Sequence, residues 1–175
     1  MNGEYKDMKK RVLFVLAAII LVFAVGCAAE EESVAETQLL YQPPVGFTAD
    51  EKVEGLYRSP DYPEDTSNIM VVTDKRTGDF KSYDEAYFKK NCLEAVALTA
   101  DVAKEDISYS MDKVKVAGYD AVKTEISYEE GSIKQIQYTV FVDDSDKLWI
   151  FTLTQTGDAD WAGAFERSIN GSNAA

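Results

Sequence analysis

The chain of 175 residues contains no histidine. That absence removes the commonest general base, the usual zinc and copper ligand, and every Ser-His or Cys-His nucleophile pair. Cysteine is almost as scarce, with only Cys27 and Cys92, so the chain could close at most one disulfide on itself. Positive charge is also short: 18 Lys and Arg stand against 31 Asp and Glu, a net charge of −13. Nucleic-acid phosphates and bare anionic headgroups repel such a surface, which excludes nucleic-acid binding. A glycine-rich phosphate loop, zinc spacings and a nucleophile elbow are missing too.

What is present begins at the N-terminus. Met8-Lys9-Lys10-Arg11 is a short cationic head, Val12 to Val25 is an apolar run without charge, and Ala24-Val25-Gly26-Cys27 closes it with small residues before a cysteine. The run is shorter than the roughly 20 residues a helix needs to cross a bilayer, so residues 1–26 read as a secretory signal peptide with a lipobox. On these residues the chain resembles the bacterial lipoproteins, whose export signal is cut just before a cysteine that carries thioether-linked diacylglycerol. The resemblance implies cleavage between Gly26 and Cys27, acylation (palmitate and diacylglycerol) at Cys27, and an extracytoplasmic protein held on the cell membrane by lipid. Ala24 departs from the leucine most often found three positions before that cysteine. The alternative, an uncleaved N-terminal anchor, places the rest of the chain on the same side of the membrane.

Removing residues 1–26 takes away Lys6, Lys9, Lys10 and Arg11 with Glu4 and Asp7, leaving 14 basic against 29 acidic residues, a net charge of −15. With that surface, the lipid rather than a basic patch has to hold the protein at the membrane. Residues 27–37 are small and acidic and read as a tether, which at about 3.3 to 3.6 Å per residue reaches some 30 Å. Lipidation of Cys27 leaves Cys92 without an intramolecular partner. Its neighbours Phe88, Ala95 and Val96 at helical spacing make it a small core residue.

Residues 38–170 have the length of one domain with one core. Strands are expected over 38–42, 53–58 and 68–73, the last a continuous apolar run covered on both faces. Ser82 as N-cap with Glu85 three residues on predicts a helix to about Leu98. Four strands follow, over 107–116, 121–128, 133–142 and 147–155, the first shifting its alternation near Lys113 and the last apolar on both faces. Asp158 is placed to cap a final helix in which Trp161, Ala164, Phe165, Ser168 and Ile169 fall on one side. Residues 171–175 form a polar tail, and Asn170-Gly171-Ser172 matches a glycosylation acceptor that a bacterial lipobox makes irrelevant.

The order βββαββββα, with strands joined by short turns, defines an α+β fold: an antiparallel sheet of about six or seven strands with helices packed on it. The layout resembles the PsbP-like superfamily, which includes the Mog-type Ran-binding proteins and many bacterial lipoproteins. The resemblance rests on Pro44-Val45-Gly46-Phe47, Tyr57-Arg58-Ser59-Pro60 leading to Asn68-Ile69-Met70-Val71, the mid-chain helix, Val116-Ala117-Gly118, and Phe165-Glu166-Arg167-Ser168-Ile169. It implies an accessory or binding domain of a larger assembly rather than an enzyme.

Candidate sites are few. The loop from Ser59 to Ser67 gathers Asp61, Tyr62, Glu64 and Asp65 between two prolines, and an aromatic ringed by charge can anchor a protein or envelope component at limited ordering cost. Asp143-Asp144-Ser145-Asp146 sets three carboxylates in four residues, a donor set that suits calcium, but lacks the glycine and distal glutamate of a calcium loop. Asp61 with Glu64, or Glu129 with Glu130, would have to serve a hydrolase as its acid/base pair, although carboxylates on exposed turns are normally solvated. The sequence therefore points to a lipid-anchored binding or scaffold module without a cofactor beyond its lipid.

Overall fold

The computed structural model describes residues 39–76, 78–128, 132–142, 146–171 and 173–174. The signal segment, the tether and Cys27 lie outside the described residues. Strands β1 (Leu39–Leu40), β2 (Thr48–Ala49), β3 (Leu56–Arg58) and β4 (Asn68–Lys75) precede helix α1 (Glu85–Ala100). Strands β5 (Ser108–Val116), β6 (Tyr119–Tyr128), β7 (Ile133–Phe141) and β8 (Lys147–Thr156) follow, then helix α2 (Ala162–Asn170) and a last short strand, β9 (Asn173–Ala174). Seven strands form one antiparallel sheet in the order β2-β3-β4-β8-β7-β6-β5, while β1 pairs with β9 in a separate two-stranded ladder. The expected α+β class and strand number hold.

The alternation of side chains along β6, β7 and β8 builds two cores, one on each face of the sheet. On one face Val122, Phe141, Leu148 and Ile150 receive Tyr83 and Phe88, and Ile126 and Tyr128 receive Cys92 and Val96 of α1. On the other, Ile136, Tyr138, Val140, Phe151 and Leu153 receive Phe165 and Ile169 of α2 together with Phe47. Each such aromatic or aliphatic side chain, fully buried, contributes about 1.5–3 kcal/mol. The shift in β5 has a simple cause: Tyr109 and Met111 pack on the α1 side, Val114 and Val116 on the α2 side. The strand is covered first on one face and then on the other, because the two helices lie over different parts of the sheet.

Several local expectations are corrected. The strand expected over 38–42 shrinks to Leu39–Leu40 and pairs outside the main sheet, with 173–174, so the expected polar tail takes part in the fold. The strand expected from Val53 starts only at Leu56, because Gly55 adopts φ +75 and lies so close to β4 that a Cβ would stand 2.1 Å from the Val71 carbonyl oxygen. Thr48–Ala49 joins the sheet without having been expected. At α1 the N-cap is Asp84, whose carboxylate accepts from the Tyr87 amide at 2.8 Å, while Ser82 ends a short 3-10 turn and donates to the Asp79 carbonyl. That turn sets Phe80 and Tyr83 edge-on against Phe141, which decides between two chemically good caps. Asp158 caps nothing: α2 starts three residues later than expected, after Trp161.

Candidate functional site

The loop singled out by composition is held from within. Ser59 and Ser67 are buried where it leaves and rejoins the sheet, and the Ser59 amide donates to the Ser67 carbonyl. The Ser59 hydroxyl donates to the Asp65 carbonyl at 2.8 Å, and the Ser67 hydroxyl accepts from the Thr156 amide at 3.2 Å. Between them the Glu64 and Asp65 amides both donate to the Asp61 carbonyl, forming one tight turn. The Tyr62–Pro63 bond is cis.

The four candidate contact residues divide. Asp61 and Glu64 are exposed, and Tyr62 keeps 46% of its surface in water. Arg58 lies over the Tyr62 ring, 4.4 Å from its centre, and is itself ion-paired with Asp50. Asp65 instead turns inward and joins the loop to α2, accepting from the Ser67 amide and from Trp161 Nε1, both at 2.8 Å. Burial pushes the Asp65 carboxyl up, but the Ser67 and Trp161 hydrogen bonds outweigh it and hold the group below the usual carboxylate range. Asp65 is therefore a strut of the loop rather than part of its charged rim.

The preceding segment stands beside this loop. Gly46 adopts φ +94 and packs against the Pro60 ring, where a Cβ would come within 3.1 Å. Phe47 turns inward, edge-on to Trp161 at 5.1 Å. Val45 is left 98% exposed. The Trp161 amide, which begins α2, donates to Gln155 Oε1 at 2.7 Å, replacing the side-chain cap that Asp158 does not supply. Sequence reasoning missed Arg58, Asp50 and Trp161 as parts of this end. The one available signal was that a half-buried tryptophan needs an acceptor for its indole N–H.

A second polar cluster lies along α2. Lys123 on β6 reaches Glu125 at 2.6 Å and Glu166 at 2.7 Å, and the Tyr138 hydroxyl donates to the same Glu166 oxygen at 3.0 Å. Burial pulls the Lys123 ammonium down, but the two carboxylates more than offset it and raise it above the ordinary lysine value. Its hydrogen bond holds Glu166 below the usual carboxylate range, against the opposing effect of burial. Burial pushes the Tyr138 phenol up to about 12. The Cys92 thiol is buried, and burial pushes it up to about 11, far from a reactive thiolate at neutral pH.

The other candidates find no common site. Asp143, Asp144, Glu129 and Glu130 lie outside the described residues, and Asp146 is exposed, its carbonyl accepting from the Arg76 amide. Among the described residues no group of three or more Cys, Asp or Glu is placed to hold a metal ion, and no helix is long and apolar enough to cross a membrane.

No family model matches the chain, and no curated protein is similar to it. Among solved structures it is similar to LpqN of Mycobacterium tuberculosis, described as involved in cell envelope biogenesis. The sequence identity is 16%, with 79% of this chain and 84% of that one covered and a TM-score of 0.49. A likeness of that degree carries no conclusion about what this chain does.

Proposed function

We propose that this protein is a lipid-anchored, extracytoplasmic binding or accessory module of the PsbP-like type, which engages a protein or envelope component and turns over no substrate. The observation that carries the reading is a pinned loop with an exposed tip. Hydrogen bonds from both ends fix the segment 59–67, yet Tyr62 stays 46% exposed and Val45 in the segment beside it 98% exposed. A side chain presented on an ordered loop loses little further entropy when a partner covers it, and aromatic anchors contribute disproportionately to interfaces. Asp61 and Glu64 form the charged rim and act on encounter, favouring a partner with a cationic surface.

The full chain, purified in non-ionic detergent and immobilised, serves as bait for extracytoplasmic proteins, beside a variant carrying Tyr62→Ala and Val45→Ser. Both substitutions are at exposed positions, so an unchanged melting temperature certifies the fold. The variant is expected to lose the captured partner through faster dissociation, while Asp61→Asn with Glu64→Gln mainly slows association and flattens its salt dependence. Equal capture by the Tyr62/Val45 variant removes this end from the reading. Turnover in a parallel panel of hydrolase substrates replaces the binding module with an enzyme.

A further inference from the structure

Helix α2 is only nine residues long and leaves part of its face of the sheet open. Beside it lie two hollows of about 420 and 530 Å³, which share Lys134, Gln155 and Asp160 and so form one continuous trough. Its floor follows from strand register: Ser127, Lys134 and Gln155 stand side by side across β6, β7 and β8, with Glu125 in the next row. Glu166 of α2 and Asp160 before it form the wall. The volume lies within the roughly 300–1,000 Å³ of small-molecule sites.

Gln155 makes this more than a solvated surface. It is 5% exposed yet lines both hollows, and its Oε1 is taken by the Trp161 amide, which leaves Nε2 as the end free to donate. Among the described residues that amide nitrogen has no partner, and it is open to the solvent of the trough rather than fully buried. Lys134, its cross-strand neighbour, makes no ion pair among the described residues, although Lys123 nearby makes two. Two donors open to a ligand thus sit beside Asp160, with Glu125 and Glu166, both already paired with Lys123, next to it. A simple cation would leave Gln155 and Lys134 unserved, and a simple anion would face Glu125, Asp160 and Glu166.

We propose that the trough binds a small zwitterion, an amino acid or short peptide with free termini. Its carboxylate accepts from Gln155 Nε2 and Lys134, and its ammonium lies against Asp160 and Glu166. The site is separate from the Tyr62 loop and does not depend on its role.

Glycylglycine is the probe, titrated calorimetrically into the full chain in non-ionic detergent. Its N-acetylated form, which lacks the ammonium, and its amide, which lacks the carboxylate, are titrated beside it. Glycylglycine is expected to bind saturably at or below about 1 mM, and each blocked form at least about tenfold more weakly. Lys134→Ala, an exposed change that leaves the melting temperature of the free protein unaltered, weakens glycylglycine about tenfold, and Asp160→Asn does so too. The proposal is overturned by no saturable binding up to about 10 mM, by equal binding of a blocked form, or by indifference to both substitutions. Tighter binding of the amide than of glycylglycine, abolished by salt, also overturns it, because general attraction to a chain of net charge −13 then suffices.

Discussion

The hydrogen bond from Trp161 Nε1 to Asp65 joins residues 96 apart and should be measurable as a coupling energy. Asp65→Ala removes acceptors for two donors, the indole N–H and the Ser67 amide, each at 2.8 Å. Bonds to a charged group are worth about 1.5–3 kcal/mol when well buried, and the half-buried position reduces each to about 1–1.5, so a loss of about 2–3 kcal/mol is expected. At about 2–4 °C per kcal/mol for a chain of this size, the melting temperature falls by about 5–10 °C. Trp161→Phe keeps the ring against Phe47 but deletes the donor, leaving Asp65 its Ser67 bond and access to water, for a loss of about 1 kcal/mol. The double variant should cost less than the sum by about 1 kcal/mol. The pH dependence follows from the sign of the shift. The folded pKa of Asp65 lies below its unfolded value of about 3.9, so its contribution is present above that value and is lost as pH falls through the folded pKa. Circular-dichroism melts at pH 7 and on a series below about pH 4 test both points, with the acid drop smaller in Asp65→Ala than in the wild type. An additive cycle, with coupling under about 0.3 kcal/mol, or an identical acid drop in the two proteins, refutes the strut.

Other predictions concern single positions. Expressed in a bacterium, the wild type should incorporate labelled palmitate and begin at Cys27, whereas Cys27→Ala should accumulate as unlabelled precursor; labelling of that variant ends the lipoprotein assignment. Cys92 should react with a thiol reagent slowly in the native protein and quickly once unfolded, and Cys92→Ser should cost about 1–3 kcal/mol for burying a hydroxyl in place of the thiol beside the Thr124 side chain. Gly55→Ala should be among the worst small substitutions in the chain. It combines a left-handed backbone with a methyl 2.1 Å from the Val71 carbonyl oxygen, so several kcal/mol are expected from chemical denaturation, and a loss under about 1 kcal/mol would contradict the geometry.

The sheet was legible wherever a strand is long enough for alternation to show. β4, β6, β7 and β8, of 8 to 10 residues, match their expected spans to within a few positions, and both helices were visible in their apolar spacing. β2 was not legible, because two residues, Thr48 and Ala49, carry no period and are held by pairing with β3. The cap of α1 was ambiguous because Ser82 and Asp84 are both good caps, and packing of Phe80 and Tyr83 on a strand some 60 residues later made the choice. The same limit applies to the loop. Asp61, Glu64 and Asp65 are locally alike, and the Ser67 amide together with the indole of Trp161 distinguishes the third. The trough was invisible, since Glu125, Lys134, Gln155 and Asp160 come from four separate segments, each with the polar residues of an ordinary solvent face.

The ladder of β1 with β9 has a mechanical consequence. The described fold begins and ends at the same place, with Leu39 opposite Ala174 and Leu40 opposite Asn173. For a chain tethered through Cys27, as proposed, tension that reaches the described fold enters at Leu39 and loads that two-residue ladder first. Peeling it breaks backbone hydrogen bonds worth about 1 kcal/mol each and pays out about 7 Å of chain. The load then meets Tyr41, which is wedged against Tyr57 and Phe151 and reaches the hydroxyl of Ser168 at 3.2 Å. In such a tethered chain, a weak clip ahead of an aromatic stop would yield first under tension and leave the seven-stranded sheet undisturbed.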